Sequence, residues 1–168
     1  MKRSLILYLT LIGITLSTNQ LQAQEDRITP EDLAILVGNW EGMLTYRNYR
    51  DGQLFDVRSN LQISAGKDAN QLLVQNNYPD EPKAGGPYNL TITKNGSRFN
   101  KANVISRTVL DDGHVEIVTE YKGRDDNKKS IIRITYRIGE NSYYTRKDVQ
   151  FKGTTDWLKR NEFRYERV

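Results

Sequence analysis

The chain has 168 residues with 25 basic and 21 acidic side chains, a formal net charge of +4, and no cysteine. The absence of cysteine excludes a disulfide framework, thiol catalysis and cysteine metal centres. The basic residues are dispersed rather than massed, which is atypical of a nucleic-acid-binding surface and predicts a solvated exterior.

The leader, residues 1–23, has the pattern of a signal peptide. Lys2 and Arg3 precede an apolar run over residues 5–16, and Ala23 stands at the expected cleavage position. The run is shorter than the ~20 residues of a membrane span. We therefore expect an exported protein, periplasmic or secreted, with one domain over residues 24–168 and no integral membrane span after cleavage. An uncleaved membrane anchor is the alternative.

A short helix is predicted at the start of the mature domain. Thr29 suits the N-cap, Pro30 the first helical position, and two acids follow in the first turn. Gly38 ends the helix after barely two turns. Because so short a helix is unstable alone, we expect it to lie against the rest of the domain.

From Gly38 onward the dominant signal is alternation of apolar and polar residues, which predicts β-strands. Turn signals such as Asn95-Gly96 separate the runs. The predicted strands are 38–49, 54–64, 71–78, 88–94, 102–110, 114–122, 129–138, 143–151 and 162–168.

This order of elements predicts an all-β fold. An open sheet of nine strands would expose two long edges, whereas a closed barrel removes them. Because an antiparallel up-and-down barrel closes with an even number of strands, we expect a further short strand near residues 98–101. The predicted fold is a closed antiparallel up-and-down β-barrel of 8–10 strands with the short N-terminal helix at one end.

The first and last strands resemble those of the calycin superfamily, which includes lipocalins, fatty-acid-binding proteins and nitrobindin-like barrels. The resemblance lies in Gly38-x-Trp40 after a short helix and in the closing strand "EFRYERV". It implies that Trp40 sits at the closed end of a barrel under a basic residue of the last strand. Arg167 is favoured over Arg164 because it shares parity with the aromatic residues of that strand.

Within that superfamily the chain is similar to small bacterial lipocalin-like proteins. It differs from the haem-binding barrels, since no histidine lies near the closing strands, and we expect no cofactor. Trp40 can anchor the closed end or form the floor of a cavity, and the anchor is favoured because core tryptophans are the commoner case. Gly42 leaves space for the indole on the same face.

Polar turns supply no convincing catalytic or metal site. His114 is the only histidine and follows a tight Asp-Asp-Gly turn, which explains it without metal or acid–base chemistry. The segment "GRDDN" (residues 123–127) lacks the spacing of a calcium loop and is interpreted as a solvated hairpin. The loop over residues 79–87 is either a lid that carries Lys83 or a surface loop.

The inward faces of the strands supply the candidate ligand-binding residues. Tyrosines alternate there with small polar residues, including Asn76 and Thr119, which suits a partly hydrated cavity better than a solid core. Residues 120–168 carry 13 basic and 8 acidic side chains, which favours an anionic end on the ligand. The candidate ligand-binding residues are Trp40, Tyr46, Ser59, Tyr88, Tyr121, Tyr136, Lys147 and Arg167.

The leading functional prediction is a binding barrel that holds a small hydrophobic or amphipathic molecule. The alternative is a filled barrel that acts through its outer surface as an interaction module. A barrel-chamber enzyme comes third, since no residues are paired by spacing for catalysis. An outer-membrane barrel is rejected because the second face of the strands is charged. That face carries Glu41, Arg47, Arg58, Glu116, Glu120, Arg133 and Arg137.

Overall fold

A computed structural model describes residues 26–168, which form a closed antiparallel barrel of ten strands and one short helix. The predicted signal peptide and its cleavage site lie outside the described residues. The elements are α1 (Pro30–Ala34), β1 (Gly38–Arg47), β2 (Leu54–Ala65), β3 (Gln71–Asn77), β4 (Gly86–Thr93), β5 (Arg98–Phe99), β6 (Ala102–Val109), β7 (Val115–Asp125), β8 (Lys128–Ile138), β9 (Ser142–Phe151) and β10 (Leu158–Arg167).

Every strand pairs with its neighbours in sequence, and β1 closes the barrel against β10. Trp40 lies opposite Arg167 on β10 and opposite Leu61 on β2. The short strand expected near residues 98–101 is present as β5 and brings the count to ten. The closed all-β barrel predicted from alternation is therefore confirmed.

The core fills the end of the barrel that contains Trp40, which we call the closed end. Inward residues there are almost fully buried, because side chains from the strands and from the segment after the helix converge on the indole. The buried cluster includes Leu33, Leu36, Trp40, Ile63, Val74, Ile92, Phe99, Ile117, Ile138, Tyr143 and Tyr165.

Helix α1 spans five residues and is shorter than predicted. Asp32 accepts a hydrogen bond from the backbone N–H of Thr29 at 2.8 Å, which satisfies one of the free donors at the start of the helix. The same carboxylate pairs with Arg107 on β6 at 2.7 Å. Asp32 is almost fully buried, so this ion pair ties the helix segment to the barrel wall.

The wall of the barrel is tall on one side and short on the other. Strands β1, β2 and β7 to β10 have 10 to 12 residues each, whereas β3 to β6 have 2 to 8. The β1–β2 and β7–β8 hairpin turns lie at the end opposite Trp40, which we call the open end. The rim of the barrel is therefore slanted toward β3–β6.

The outer face of the barrel carries cross-strand ion pairs between neighbouring strands. Arg133 pairs with Glu120 at 2.5 Å and Arg137 with Glu116 at 2.6 Å. Such exposed pairs contribute little to stability, but they give the wall its polar exterior. Within residues 26–168, no helix has the length and apolar character needed to cross a membrane.

Candidate functional site

The closed end is sealed by Trp40 and Arg167. Trp40 is fully buried and donates its indole N–H to the carbonyl of Leu36 at 2.8 Å. The guanidinium of Arg167 lies 4.2 Å from the centroid of the indole ring. It also donates to the carbonyl oxygens of Ile35, Val37 and Glu140. The arrangement is a plug in which the donors of Arg167 already have acceptors from the protein.

A ladder of aromatic rings leads from this plug along the inside of the barrel. Trp40 meets Tyr143 edge-on at 6.1 Å, and Tyr143 stacks on Tyr165 at 5.8 Å. Tyr165 stacks in turn on Phe163 at 5.8 Å. Because these residues come from β1, β9 and β10, which are neighbouring strands, they form one continuous aromatic surface on the inner wall.

Small polar groups satisfy the tyrosine hydroxyls inside the barrel. The hydroxyl of Tyr165 lies 2.9 Å from that of Ser59, which donates to the amide oxygen of Asn76 at 3.1 Å. Ser59 is fully buried. The sequence brings these residues together because Ser59 and Tyr165 both lie opposite Gly42, which has no side chain between them.

Buried tyrosines dominate the electrostatics of the inner wall. Burial raises the pKa of Tyr136 to about 12, against the opposing effect of its hydrogen bonds with Asn100 and Thr119. Burial also raises the pKa of Tyr143 and Tyr165 well above the usual value, because ionisation would place a charge among apolar neighbours. These phenols remain neutral hydrogen-bonding groups across the physiological pH range.

Inward residues become exposed toward the open end. Tyr88 lies opposite the buried Val74, so its side chain is on the inner face, yet it is 42% exposed. Tyr121 on β7 is also 42% exposed, and Phe55 on β2 is 41% exposed. A barrel filled to the rim would bury these rings, so the lumen beyond the closed half is accessible to solvent.

Gly86 marks unfilled space on the same inner wall. It lies opposite Asn76 at the start of β4 and has the same parity as Tyr88. A Cβ atom placed on Gly86 would have no heavy atom within 4 Å. At Gly42, in contrast, a Cβ atom would lie 2.0 Å from the carbonyl oxygen of Arg164. Gly86 therefore faces open space near the mouth of the barrel, whereas the position of Gly42 is tightly packed.

An ion cluster lies at the rim of the open end. Asp125 is almost fully buried and contacts Lys147 at 2.6 Å and Arg160 at 2.8 Å. The hydroxyl of Tyr49 donates to the same carboxylate at 3.0 Å, and its ring lies 4.2 Å from the guanidinium of Arg160. Two cations share one carboxylate, so the cluster carries an excess positive charge beside the lumen.

The pKa of Asp125 reflects this environment. Burial by itself would raise the pKa of the carboxyl, but the hydrogen bonds from Lys147 and Tyr49 and the charge of Arg160 outweigh it and hold the pKa below the usual value. Asp125 is therefore ionised at neutral pH and neutralises only one of its two cationic neighbours.

The predicted site residues fall into two groups. Tyr136, Ser59, Trp40 and Arg167 belong to the closed half, where protein groups surround them. The other four lie on the inner wall nearer the open end, where solvent reaches the tyrosines. These residues are Tyr46, Tyr88, Tyr121 and Lys147. Their role in binding stays a prediction.

The sequence interpretation missed Tyr49, Asp125 and Arg160. Residues 123–127 were interpreted as a solvated hairpin, but β7 continues to Asp125 and places its carboxylate inside the barrel. The turn is formed by Asp126 and Asn127, both of which have positive φ. The signal available in the sequence was parity, because Asp125 is four residues from Tyr121 on the same face.

Two other polar segments have structural roles. The ring of His114 lies 2.6 Å from the hydroxyl of Ser142 and fits against Gly139, where a Cβ atom would clash with it. In the loop before β4, Asp80 pairs with Arg58 on the outer face of β2 at 2.6 Å. Within residues 26–168, no group of three histidine, aspartate or glutamate residues is arranged to hold a metal ion.

A shallow depression of about 1090 Å³ lies on the outside of the wall rather than in the lumen. Its arginines are largely paired with carboxylates, as Arg164 is with Glu162 at 2.5 Å and Arg146 with Asp148 at 2.7 Å. Burial opposes ionisation of Glu162, but hydrogen bonds from Tyr144 and Lys159 and the charge of Arg164 hold its pKa below the usual value.

Comparison with known proteins supports the fold. No family model matches the chain, and no curated protein matches it either. The crystal structure of Rv2717c from M. tuberculosis is similar with a TM-score of 0.54 and 13% sequence identity, over 82% of this chain and 96% of that chain. At that identity the likeness concerns the fold alone.

Two further solved structures are similar at lower TM-scores. The S-type phycobiliprotein lyase CPES from Guillardia theta has a TM-score of 0.47 and 16% identity, over 89% of this chain and 98% of that chain. A DUF3598-family protein of unknown function from Nostoc punctiforme has a TM-score of 0.40 and 16% identity, over 84% and 50% of the two chains. A closed ten-strand antiparallel barrel fits a calycin-like fold.

Proposed function

We propose that this protein is a binding barrel that holds one small, partly apolar molecule in the open half of its lumen. The observation that carries the proposal is the exposure of Tyr88, Tyr121 and Phe55, which point inward and are nevertheless about two-fifths exposed. Concave, mostly aromatic walls with a few polar groups are typical of small-molecule sites. The protein would sequester or carry its ligand without making or breaking a bond.

The ion cluster at the rim supports an anionic end on the ligand. Within residues 26–168, Lys147 and Arg160 share Asp125 as their one carboxylate partner. A ligand carboxylate placed beside them would balance the remaining positive charge in a setting where water screens it poorly. The predicted role of Arg167 in this contact is not favoured, because its guanidinium is occupied at the closed end.

A fluorescent fatty-acid probe tests the proposal. We expect micromolar affinity, ~8 kcal/mol, with displacement by the unlabelled acid. We also expect the ligand to raise the melting temperature, because a molecule that binds only the native state stabilises it by mass action. Absence of binding by fatty acids, sterols and other elongated apolar probes would contradict the proposal.

A matched pair of substitutions on β4 locates the binding site. Gly86→Phe places a ring in the empty space of the lumen and is expected to weaken probe binding by about tenfold or more. Asn89→Phe adds the same ring on the exposed outer face of the same strand and is expected to leave binding unchanged. Equal effects of the two variants would mean that the probe does not occupy the lumen.

The alternative function is an interaction module that acts through the outer wall. It is favoured only by the depression between Arg58, Arg137 and Arg164, where most arginines already have carboxylate partners. A soluble protein that fails to bind any apolar probe, but associates with a macromolecule through this wall, would support it over the binding barrel.

We further propose that the protein is exported and works outside the cytoplasm. The support is the basic, apolar and small-residue pattern of residues 1–23. N-terminal sequencing of the exported protein is expected to begin at or near Gln24. Material that begins at Met1 in a membrane fraction would contradict this proposal.

A further inference from the structure

The wall of the barrel is interrupted between β4 and β7. Strand β5 pairs only with Ile92 and Thr93 of β4, and β6 pairs with β7 no further than Glu120. As a result, residues 86–90 of β4 and 121–125 of β7 have no strand neighbour on the sides that face each other. We call this lateral gap the notch.

The dimensions of the notch follow from strand geometry. At this level β5 and β6 are both missing, so β4 and β7 are three strand spacings apart, or about 14 Å. Five residues without a neighbour make each side about 16 Å high. No backbone fills the space between β4 and β7 at this level, and side chains border it.

The floor of the notch is a fixed turn. Asn100 and Lys101 both have positive φ, 48° and 70°, and join β5 to β6. The backbone N–H of Asn100 donates to the carbonyl of Thr91 at 2.9 Å, and its side-chain oxygen accepts from the N–H of Thr91 at 2.9 Å. These two bonds end the sheet pairing at this position, so the notch is a built feature of the wall.

The lumen reaches the notch from the inside. Tyr88 stands on its β4 side and Tyr121 on its β7 side, and these are the half-exposed inward tyrosines described above. Gly86, at the top of the β4 side, leaves open space where another residue would project inward. Burial raises the pKa of Tyr88 to about 12, and the nearby phenols of Tyr136 and Tyr78 add to the shift.

The axial end of the barrel is bridged, in contrast to the notch. Tyr49 extends from the β1–β2 turn to Asp125 on the β7–β8 hairpin and lies under Arg160. The loop before β4 is held to the outer face of β2 by the pair of Asp80 with Arg58, on the far side of β3 from the notch.

We propose that the ligand enters and leaves the lumen sideways, through the notch between β4 and β7, rather than along the barrel axis. The inference rests on the proposed binding function. The half-exposed rings of Tyr88 and Tyr121 form the two sides of this path. The excess charge of Lys147 and Arg160 then lies at the rim beyond it, where it holds the anionic end of a molecule that has passed through.

Cross-linking tests the route, and the chain suits it because it has no cysteine of its own. Asn89→Cys and Lys122→Cys place thiols on the exposed outer faces of β4 and β7, on either side of the notch. A bis-maleimide strap between them is expected to slow both association and dissociation of the fatty-acid probe by about tenfold. The equilibrium affinity should stay the same, because the strap lies outside the lumen.

Two other straps serve as controls. Leu73→Cys with Asn89→Cys spans the paired strands β3 and β4, where the wall is continuous. Arg50→Cys with Lys128→Cys spans the axial end, above the bridge made by Tyr49. Neither strap is expected to change the probe's rates.

The outcomes separate the route from the function. If the axial strap slows the probe and the notch strap does not, or if all three straps act alike, the lateral route is wrong while the binding function stands. If the unmodified protein binds no probe at equilibrium, the binding function itself is wrong and the route falls with it.

Discussion

Asp125 shows how one residue sets the electrostatic character of the lumen. Its carboxylate is buried between the ammonium of Lys147 and the guanidinium of Arg160, whose side chains are 22% and 7% exposed. Replacement by a neutral amide leaves two poorly hydrated cations without a counterion. Removal of one member of a buried ion pair commonly lowers the free energy of unfolding by about 3–5 kcal/mol, and we expect a loss of that order for Asp125→Asn.

Asp125→Asn should therefore lower the free energy of unfolding and raise the affinity for anions. We expect a fatty-acid probe to bind more tightly, since its carboxylate replaces the lost charge, whereas the corresponding alcohol should gain nothing. Denaturant unfolding and probe titration measure the two effects. Equal changes for acid and alcohol would mean that the cluster does not contact the ligand.

The neighbouring Asp126 supplies the control for this variant. Among residues 26–168 its ion-pair partner is Lys128, at 3.1 Å, and both side chains are exposed. Asp126→Asn should change neither the free energy of unfolding nor the affinity for the fatty-acid probe, because exposed ion pairs contribute little. The difference in unfolding free energy between the two variants should shrink in acid. Because the pKa of Asp125 is lowered in the folded protein, its carboxylate stabilises the fold fully above the unfolded pKa of about 3.9. That stabilisation is lost as pH falls through the folded pKa.

At the scale of strands and turns, alternation in the sequence was sufficient to predict the barrel. Side chains in a strand point to opposite faces in turn, so the inward residues of β1 and β8 followed from parity with their apolar neighbours. The two-residue strand β5 followed from the need for an even count. Trp40 and Arg167 were placed opposite each other by the calycin-like resemblance, and the register confirms that pairing.

The mouth of the barrel was harder to predict because it departs from alternation. The register shifts between Lys159 and Asn161, so parity along β10 could not assign Arg160 to the interior. Gly123 was interpreted as the start of a turn, whereas aspartate and asparagine adopt the left-handed conformation of the real turn three residues later. Tyr49 lies beyond β1 altogether and reaches Asp125 across 76 residues of sequence.

The two halves of the barrel differ in packing: the closed half is filled, and the open half is exposed to solvent. The closed half holds the continuous core around Trp40, and its polar groups have protein partners, as in the pair of Asp32 with Arg107 and the contacts of Arg167 with backbone carbonyls. The open half has exposed aromatic rings, empty space at Gly86 and a shared carboxylate. A packed half stabilises the fold, so the other half can remain open without loss of the barrel.

This division predicts a steep loss of stability in alkali. The pKa of the buried Tyr136 is raised to about 12 in the folded protein, and the pKa of the buried Tyr143 and Tyr165 is raised as well. A raised folded pKa gives stability that is complete below the unfolded value of about 10 and is lost as pH rises toward the folded value. Each such phenol should cost about 1.4 kcal/mol per pH unit in that window.

Denaturant unfolding measures this loss over a range from about pH 8 to about pH 12, roughly two units on either side of the usual tyrosine pKa. Tyrosinate absorbance shows at which pH the phenols ionise. We expect the buried phenols to ionise only as the barrel unfolds. Tyr143→Phe keeps the ring between Trp40 and Tyr165 but removes one ionisable group. The slope of the free energy of unfolding against pH, above pH ~10, should therefore become shallower by the equivalent of about one proton. Tyrosinate formation by all the phenols in a folded barrel would mean that water reaches the closed half, and that the lumen is hollow from end to end.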